Sequence, residues 1–212
     1  MRAVVIANGD IKDYEYYKQR IKKDDFVICA DGAIRHCIEL NLTPDLWIGD
    51  FDSCNYRYYI DKYPRLSELD TRFLNPQKDE TDTHAACNIA LEKGCQSIVI
   101  WGALGSRFDH SVSNIHLLEY LLKKGISAYI ENEKNTLTVF DRVLKVNKAR
   151  KYLSLIPLDK SVFVEKTEGL KYPLKDFYLS REISRGVSNE ILYETAAVTV
   201  KDGIMLAIES DD

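Results

Sequence analysis

The sequence predicts an α/β domain built on a mainly parallel sheet, followed by an all-β domain. Three observations predict it. Short apolar runs alternate with helical patterns as far as about Glu131. Four of those runs end in polar or glycine turns: Asn8-Gly9, Asp31-Gly32, Gly49-Asp50 and Gly102. Beyond Glu131 the helical pattern stops, and short β-rich runs separated by signals such as Asp202-Gly203 take over.

Val4-Val5-Ile6 reads as a buried strand, followed by a helix over roughly Tyr14 to Ile21. Phe26 to Ala30 is the next strand, and Ala33 to Leu40 the next helix. Leu46-Trp47-Ile48 is a short strand ending at Gly49-Asp50. Ser53 can cap a helix carrying Tyr56, Tyr59 and Ile60. Phe73-Leu74 suggests another short strand. Thr81 or Asp82 can cap a helix running to Lys93, which Gly94 stops. Ser97 to Trp101 is the clearest buried strand, and Gly102 to His110 a loop. A helix over Ser111 to Lys124 places Ile115, Leu118 and Leu122 on one face, and Ser127 to Ile130 adds a strand.

Alternating strands and helices argue for a sheet covered on both faces. In such sheets ligands bind in the crevice at the carboxyl ends of the strands. The four turns would therefore meet at one edge. In the second part, strands are expected at 136–140, 152–156, 162–164, 191–193, 197–200 and 204–208, an antiparallel sandwich or barrel pattern. The expected domains are 1–132 and 133–212.

Of 212 residues, 45% are hydrophobic and 29% charged, an ordinary globular balance. The net charge of −4, with no basic cluster, argues against a nucleic-acid partner. The five cysteines are odd in number and contain no C-x-x-C, which argues against a disulfide framework or a cysteine zinc site. Free thiols fit a reducing compartment. The apolar run at Met1–Ala7 is short for a signal peptide, and no stretch is long enough to span a bilayer. The expected location is the cytoplasm, with no membrane partner.

Three segments can carry chemistry. In Gly49-Asp50-Phe51-Asp52-Ser53, an extended backbone would aim Asp50 and Asp52 to the same side. Two close carboxylates call for a cation, and Mg²⁺ takes oxygen ligands while keeping waters for a phosphate to replace. In Lys78-Asp79-Glu80-Thr81-Asp82-Thr83, acidic and hydroxyl oxygens crowd before a helix start. Helix capping explains one of them better than it explains the cluster. Lys78 offers a positive charge to a phosphate. In Gly102-Ala103-Leu104-Gly105-Ser106-Arg107-Phe108-Asp109-His110, glycines open backbone N–H groups to an anion, and Arg107 can fork onto a phosphate. Neither a Walker A loop nor a G-x-G-x-x-G fingerprint occurs. Asp109 and His110 suit either catalysis or capping. His36, His84 and His116 show no metal spacing and read as structural.

In order, these segments resemble the thiamine pyrophosphokinase family, whose signatures are a G-D-x-D-S turn, a [KQ]-D-x-T-D helix start and a G-x-x-G-x-R-x-D-H loop. Gly169-Leu170-Lys171-Tyr172-Pro173-Leu174 and Ser184-Arg185-Gly186-Val187-Ser188-Asn189-Glu190 resemble two further family stretches. The resemblance implies a Rossmann-like three-layer α/β domain, followed by a C-terminal β-sandwich. It implies an ATP-dependent, Mg²⁺-dependent diphosphotransferase that converts thiamine to thiamine diphosphate and ATP to AMP. It implies a homodimer with sites at the subunit interface.

Residue by residue, the resemblance implies metal and phosphate ligands at Asp31, Asp50, Asp52, Thr81 and Asp82. Catalytic carboxylates would be among Asp50, Asp52, Asp79 and Asp82. Nucleotide contacts would fall on Asn8, Asp31, Lys78, Arg107 and Asp109, and thiamine contacts on Ser184, Ser188 and Asn189. No tryptophan follows Trp101 to match the aromatic that stacks on thiamine in some members; Tyr193 is a candidate.

Overall fold

The structure is a computed structural model and describes residues 1–52 and 54–212. The chain divides into two compact units, Met1–Leu117 with Lys124–Glu133, and Leu118–Lys123 with Lys134–Asp212.

The first unit holds strands β1 (Arg2–Ile6), β2 (Phe26–Ala30), β3 (Leu46–Gly49), β4 (Thr71–Phe73), β5 (Ser97–Trp101) and β6 (Ser127–Glu131). They lie in the order β6-β5-β1-β2-β3-β4, every neighbouring pair parallel. Strand order reverses between β1 and β5, where a crevice opens in folds of this kind. The helices are α1 (Tyr14–Lys18), α2 (Ile34–Glu39), α3 (Tyr56–Lys62), α4 (Asp82–Glu92) and α5 (Phe108–Lys123).

Alternate residues of each strand feed opposite faces of this sheet. One face carries Val4, Ile6, Cys29, Trp47, Val99 and Trp101 into a core shared with Tyr17, Ile34, Cys37 and Leu66. On the other, α4 lies across β1, β2 and β3. Its buried Ala85, Ala86 and Ala90 are small enough to let the helix approach the strands closely. Helices thus cover both faces, as the uninterrupted apolar runs require.

Two boundaries differ from expectation. Asn55 caps α3, its side chain accepting the Tyr58 N–H at 3.1 Å; the expected cap, Ser53, lies outside the described residues. Helix α5 begins at Phe108, three residues before the expected start, and so takes Asp109 and His110 out of the loop. Asp109 in the first turn suits the helix dipole, which supports the earlier start.

The second unit holds β7 (Asn135–Phe140), β8 (Val143–Asn147), β9 (Tyr152–Pro157), β10 (Ser161–Glu168), β11 (Lys175–Ser180), β12 (Asn189–Glu190), β13 (Thr195–Asp202) and β14 (Met205–Ser210). They form two antiparallel layers, β12-β9-β14-β7 and β11-β10-β13-β8. Leu153, Leu155, Val162, Val164, Leu179, Val198 and Met205 fill the core between them, making a sandwich rather than a barrel. The strand expected at 191–193 is displaced. Pairing falls on Asn189–Glu190, Ile191 makes only a bridge to Leu170, and Leu192 and Tyr193 are exposed. No helix among the described residues is long and apolar enough to cross a membrane.

Candidate active site

The parallel sheet brings the four strand-end turns together, and they line one cavity of about 680 Å³. Its floor is the contact between the β1 and β5 ends. The Gly9 N–H donates to Gly102 O at 2.7 Å, and the Asp10 N–H to Leu104 O at 2.9 Å. Only glycine allows this approach. A Cβ on Gly9 would lie 2.3 Å from Gly102 O and 2.6 Å from Leu104 O. Gly102 has φ +62°, and a Cβ there would lie 2.3 Å from Ala7 O.

Helix α2 anchors the floor from the side. The Arg35 Nε donates to Asn8 Oδ1 at 2.9 Å, and its Nη2 to the carbonyls of Asn8 and Gly9, both at 3.0 Å. His36 is buried below, with Nε2 2.9 Å from Gly9 O and Nδ1 2.9 Å from the Tyr14 hydroxyl. Donation by Nε2 to the carbonyl leaves Nδ1 to accept from Tyr14, which requires a neutral ring. Burial pushes the His36 pKa down to about 4, and the neighbouring Arg35 charge adds to this.

Asp31, at the end of β2, is 5% exposed and adopts φ +47°. Trp47 Nε1 donates to its carbonyl at 2.9 Å, and the Cys54 thiol lies 3.6 Å from its Oδ1. Burial and the Asp31 charge push the Cys54 pKa up to about 12. Gly49 sits against Asp31; a Cβ there would be 2.9 Å from the Asp31 Cα.

Asp50 and Asp52 both line the cavity, but not through an extended segment. Strand β3 ends at Gly49, and Phe51 has φ +59°. The Phe51 ring packs on Trp47, Tyr56 and Phe73 with centroids at 5.0, 5.0 and 4.8 Å. That aromatic cluster offsets the cost of a left-handed residue, and the Asp52 N–H closes the turn onto Asp50 Oδ1 at 3.2 Å.

The second acidic segment meets the first. Thr81 caps α4, its Oγ1 accepting the His84 N–H at 3.2 Å. One turn earlier, Lys78 Nζ lies 3.1 Å from Asp50 Oδ2 and 2.9 Å from Asp82 Oδ1. Asp31, Asp50 and Asp82 each present a carboxylate oxygen, and the three oxygens lie within 4.8 Å of one another. Burial raises the Asp50 pKa, but hydrogen bonds from Lys78 and the Asp52 N–H outweigh it and hold the group below the usual range. The Asp50 charge raises Asp52. Burial raises Asp82 despite Lys78. Burial acts to lower Lys78, yet its bonds to Asp82 and Asp50 leave it raised.

Three carboxylate oxygens this close together could hold one oxygen-loving cation. Lys78 already places one positive charge among them. Asp52 is exposed and stands outside that group of three, and Thr81 contributes a cap.

The glycine loop closes the cavity. Ser111 Oγ accepts the Gly105 N–H at 3.2 Å, and Asn114 Nδ2 donates to Ala103 O at 2.8 Å. Arg107 forks onto Asp109, with Nη2 to Oδ2 at 2.6 Å and Nε to Oδ1 at 3.3 Å. That pairing raises Arg107 and lowers Asp109.

Of the expected site residues in this unit, Asn8, Asp31, Asp50, Asp52, Lys78, Thr81, Asp82 and Arg107 line the cavity. Asp79 and Asp109 are exposed and are not among the lining residues. Arg35, Glu80, His110, Ser111 and Asn114 line it as well; Glu80 and His110 lie in segments singled out from the sequence, whereas Arg35, Ser111 and Asn114 carried no site expectation. The spacing of Arg107, His110, Ser111 and Asn114, one helical face, is the signal that marks three of them.

In the second unit, Ser184 and Ser188 are exposed, and Ser188 adopts φ +58° while its N–H donates to Ser154 Oγ at 3.0 Å. Asn189 is buried. Its Oδ1 accepts the Tyr172 N–H at 3.0 Å and its Nδ2 donates to Tyr172 O at 2.7 Å. This amide ties Gly169–Leu174 to the strand end.

Two family models match the chain: "Thiamin pyrophosphokinase, catalytic domain" over residues 17–130, and "Thiamin pyrophosphokinase, vitamin B1 binding domain" over residues 142–205. A thiamine pyrophosphokinase of Bacillus subtilis is 29% identical over 190 residues, covering 87% of each chain. Among solved structures, the thiamine pyrophosphokinase of Bacillus subtilis superposes with TM-score 0.89 at 26% identity, covering 100% of both chains. That of Geobacillus thermodenitrificans gives 0.87 at 27%, covering 100% of this chain and 98% of the other.

Proposed function

The chain belongs to the thiamin pyrophosphokinase family, and we propose that it transfers the diphosphoryl group of ATP to the hydroxyl of thiamine, with Mg²⁺, releasing AMP. One observation carries this reading. A chain matching both family models gathers Asp31, Asp50 and Asp82 around one cavity, with Lys78 between two of them. The thiamine hydroxyl attacks the β-phosphorus, and AMP departs with the bridging oxygen. Such transfer depends on positioning and on neutralising the phosphate oxygens. Asp31, Asp50 and Asp82 would hold Mg²⁺, which supplies charge neutralisation at those oxygens.

Lys78 and Arg107 contact the polyphosphate, and the glycine loop from Gly102 to Gly105 lies along it. Asp52 lines the same cavity outside the three-carboxylate group and accepts the hydroxyl proton. Ser184 and Ser188 contact thiamine, while Asn189 acts through the Tyr172 backbone it holds. The assembly is a homodimer whose sites lie at the subunit interface. Exposed Ile183, Val187, Leu192 and Tyr193 support a partner-covered face. The compartment is the cytoplasm.

The test incubates the protein with ATP and Mg²⁺, with and without thiamine, and quantifies AMP and thiamine diphosphate. AMP matching thiamine diphosphate one for one supports the reading. Nucleotide breakdown independent of thiamine would make the protein a hydrolase instead. In the same assay, Asp52→Asn lowers kcat about 100-fold or more at an unchanged Mg²⁺ requirement, whereas Asp50→Asn raises that requirement.

A further inference from the structure

One lysine and two arginines line the cavity, and two of these three stand against carboxylates: Lys78 against Asp50 and Asp82, and Arg107 against Asp109. Arg35 is held differently. Its three acceptors, Asn8 Oδ1 and the carbonyls of Asn8 and Gly9, are all neutral. Its charge is therefore not cancelled at contact distance by those bonds. A guanidinium carries five N–H donors, and the bonds to Asn8 and Gly9 use Nε and Nη2, leaving the two on Nη1. The fixed Nε and Nη2 pre-orient the planar group, so an anion that meets Nη1 finds little rotamer freedom left to freeze.

Position adds to this. Arg35 lines both the carboxylate cavity and a second cavity of about 430 Å³ bordered by Asn55, Tyr58 and Tyr59. Asn8 is the other residue common to the two. An elongated anion with one end at Asp31, Asp50 and Asp82 passes Arg35 if it extends from the first space to the second.

We propose that Arg35 is a phosphate-binding residue, holding a phosphate of the nucleotide where the two cavities join, separately from Lys78 and Arg107. The assignment rests on the reading of ATP as the donor. Arg35 also pins the Asn8–Gly9 turn, so the test must separate charge from scaffolding.

Binding of inorganic tripolyphosphate with Mg²⁺ is measured by calorimetry at low and high ionic strength for wild type, Arg35→Gln and Arg35→Lys. Arg35→Gln is expected to weaken binding about tenfold at low salt and to flatten its salt dependence. Arg35→Lys keeps the charge but loses the fork on the turn, and retains the wild-type salt dependence. The proposal is overturned if Arg35→Gln binds within about twofold of wild type. It is equally overturned if Arg35→Gln weakens binding with an unchanged salt dependence, because Arg35 is then a turn pin alone. Should Arg35→Gln lack a cooperative thermal transition, Arg35→Lys decides: a flattened salt dependence there refutes the assignment. Product formation by wild type is scored separately. Tripolyphosphate binding through Arg35 without thiamine diphosphate synthesis would sink the kinase reading and leave the residue's role standing.

Discussion

Removing the Lys78 ammonium should expose how much the acidic cluster depends on a cation. Lys78→Met keeps the length of the side chain and deletes the charge that lies 3.1 Å from Asp50 and 2.9 Å from Asp82. Three carboxylate oxygens within 4.8 Å of one another then face each other alone. Two unit charges 4.8 Å apart repel by about 3.5 kcal/mol at an effective dielectric constant of ~20. Protonation of one aspartate caps the cost, since a carboxyl whose pKa is pushed up far enough becomes neutral. The expected loss at neutral pH in chelator is about 2–3 kcal/mol, or roughly 4–12 °C in Tm for a chain of this length.

The sign with pH follows. An aspartate raised in the folded state destabilises it at high pH, so the deficit shrinks as pH falls through that raised value. Mg²⁺ replaces the lost charge, so it should raise the Tm of Lys78→Met by more than that of wild type. Thermal unfolding by circular dichroism, in chelator and in Mg²⁺ across pH 5–8, measures all three effects. Equal stability of the two proteins in chelator, or an equal Mg²⁺ shift in both, would refute the account of this cluster.

Three other outcomes are expected. Gly9→Ala drives a Cβ to 2.3 Å from Gly102 O, which must part the β1 and β5 ends; the loss should be about 2–4 kcal/mol by denaturant melts, with a raised KM for ATP. His36 has a folded pKa of about 4 against an ordinary 6.5, so its contribution is complete above 6.5 and is lost as pH falls toward 4, by at most ~3 kcal/mol. His36→Gln should flatten the stability profile in that window. Asn189→Ala removes both bonds to the Tyr172 backbone and should cost about 2–3 kcal/mol in the sandwich. It should also raise the KM for thiamine, whereas Ser184→Ala should raise that KM with no change in Tm.

The site was legible to the extent that it sits at strand ends. A parallel sheet aligns its carboxyl ends, so a turn such as Asn8-Gly9 or Asp31-Gly32 falls at the crevice once its strand is recognised. Other features depend on partners remote in the chain. Phe51 turns left-handed because Trp47, Tyr56 and Phe73 gather its ring, and local pattern pointed to an extended segment instead. Strands β8 and β11 were missed because polar residues such as Lys145, Asn147, Lys175 and Asp176 interrupt their apolar ones, which dilutes the apolar signal. Arg35, one arginine on a short helix, carries no pattern of its own; its contacts to the Asn8–Gly9 turn exist only in the fold.

By itself, the sequence determined the α/β-then-β order, the glycines that the β1 and β5 ends require, and which carboxylates were available. Those properties follow from local apolar spacing, backbone freedom and residue type, all written along the chain. The tertiary structure alone decided that Asp52 stands apart from Asp31, Asp50 and Asp82, and that Asp79 stays outside the cavity. It also set Lys78 between two carboxylates and committed the Asn189 amide to its own backbone. These outcomes depend on distances between segments far apart in sequence, which strand order and packing set and residue spacing does not encode.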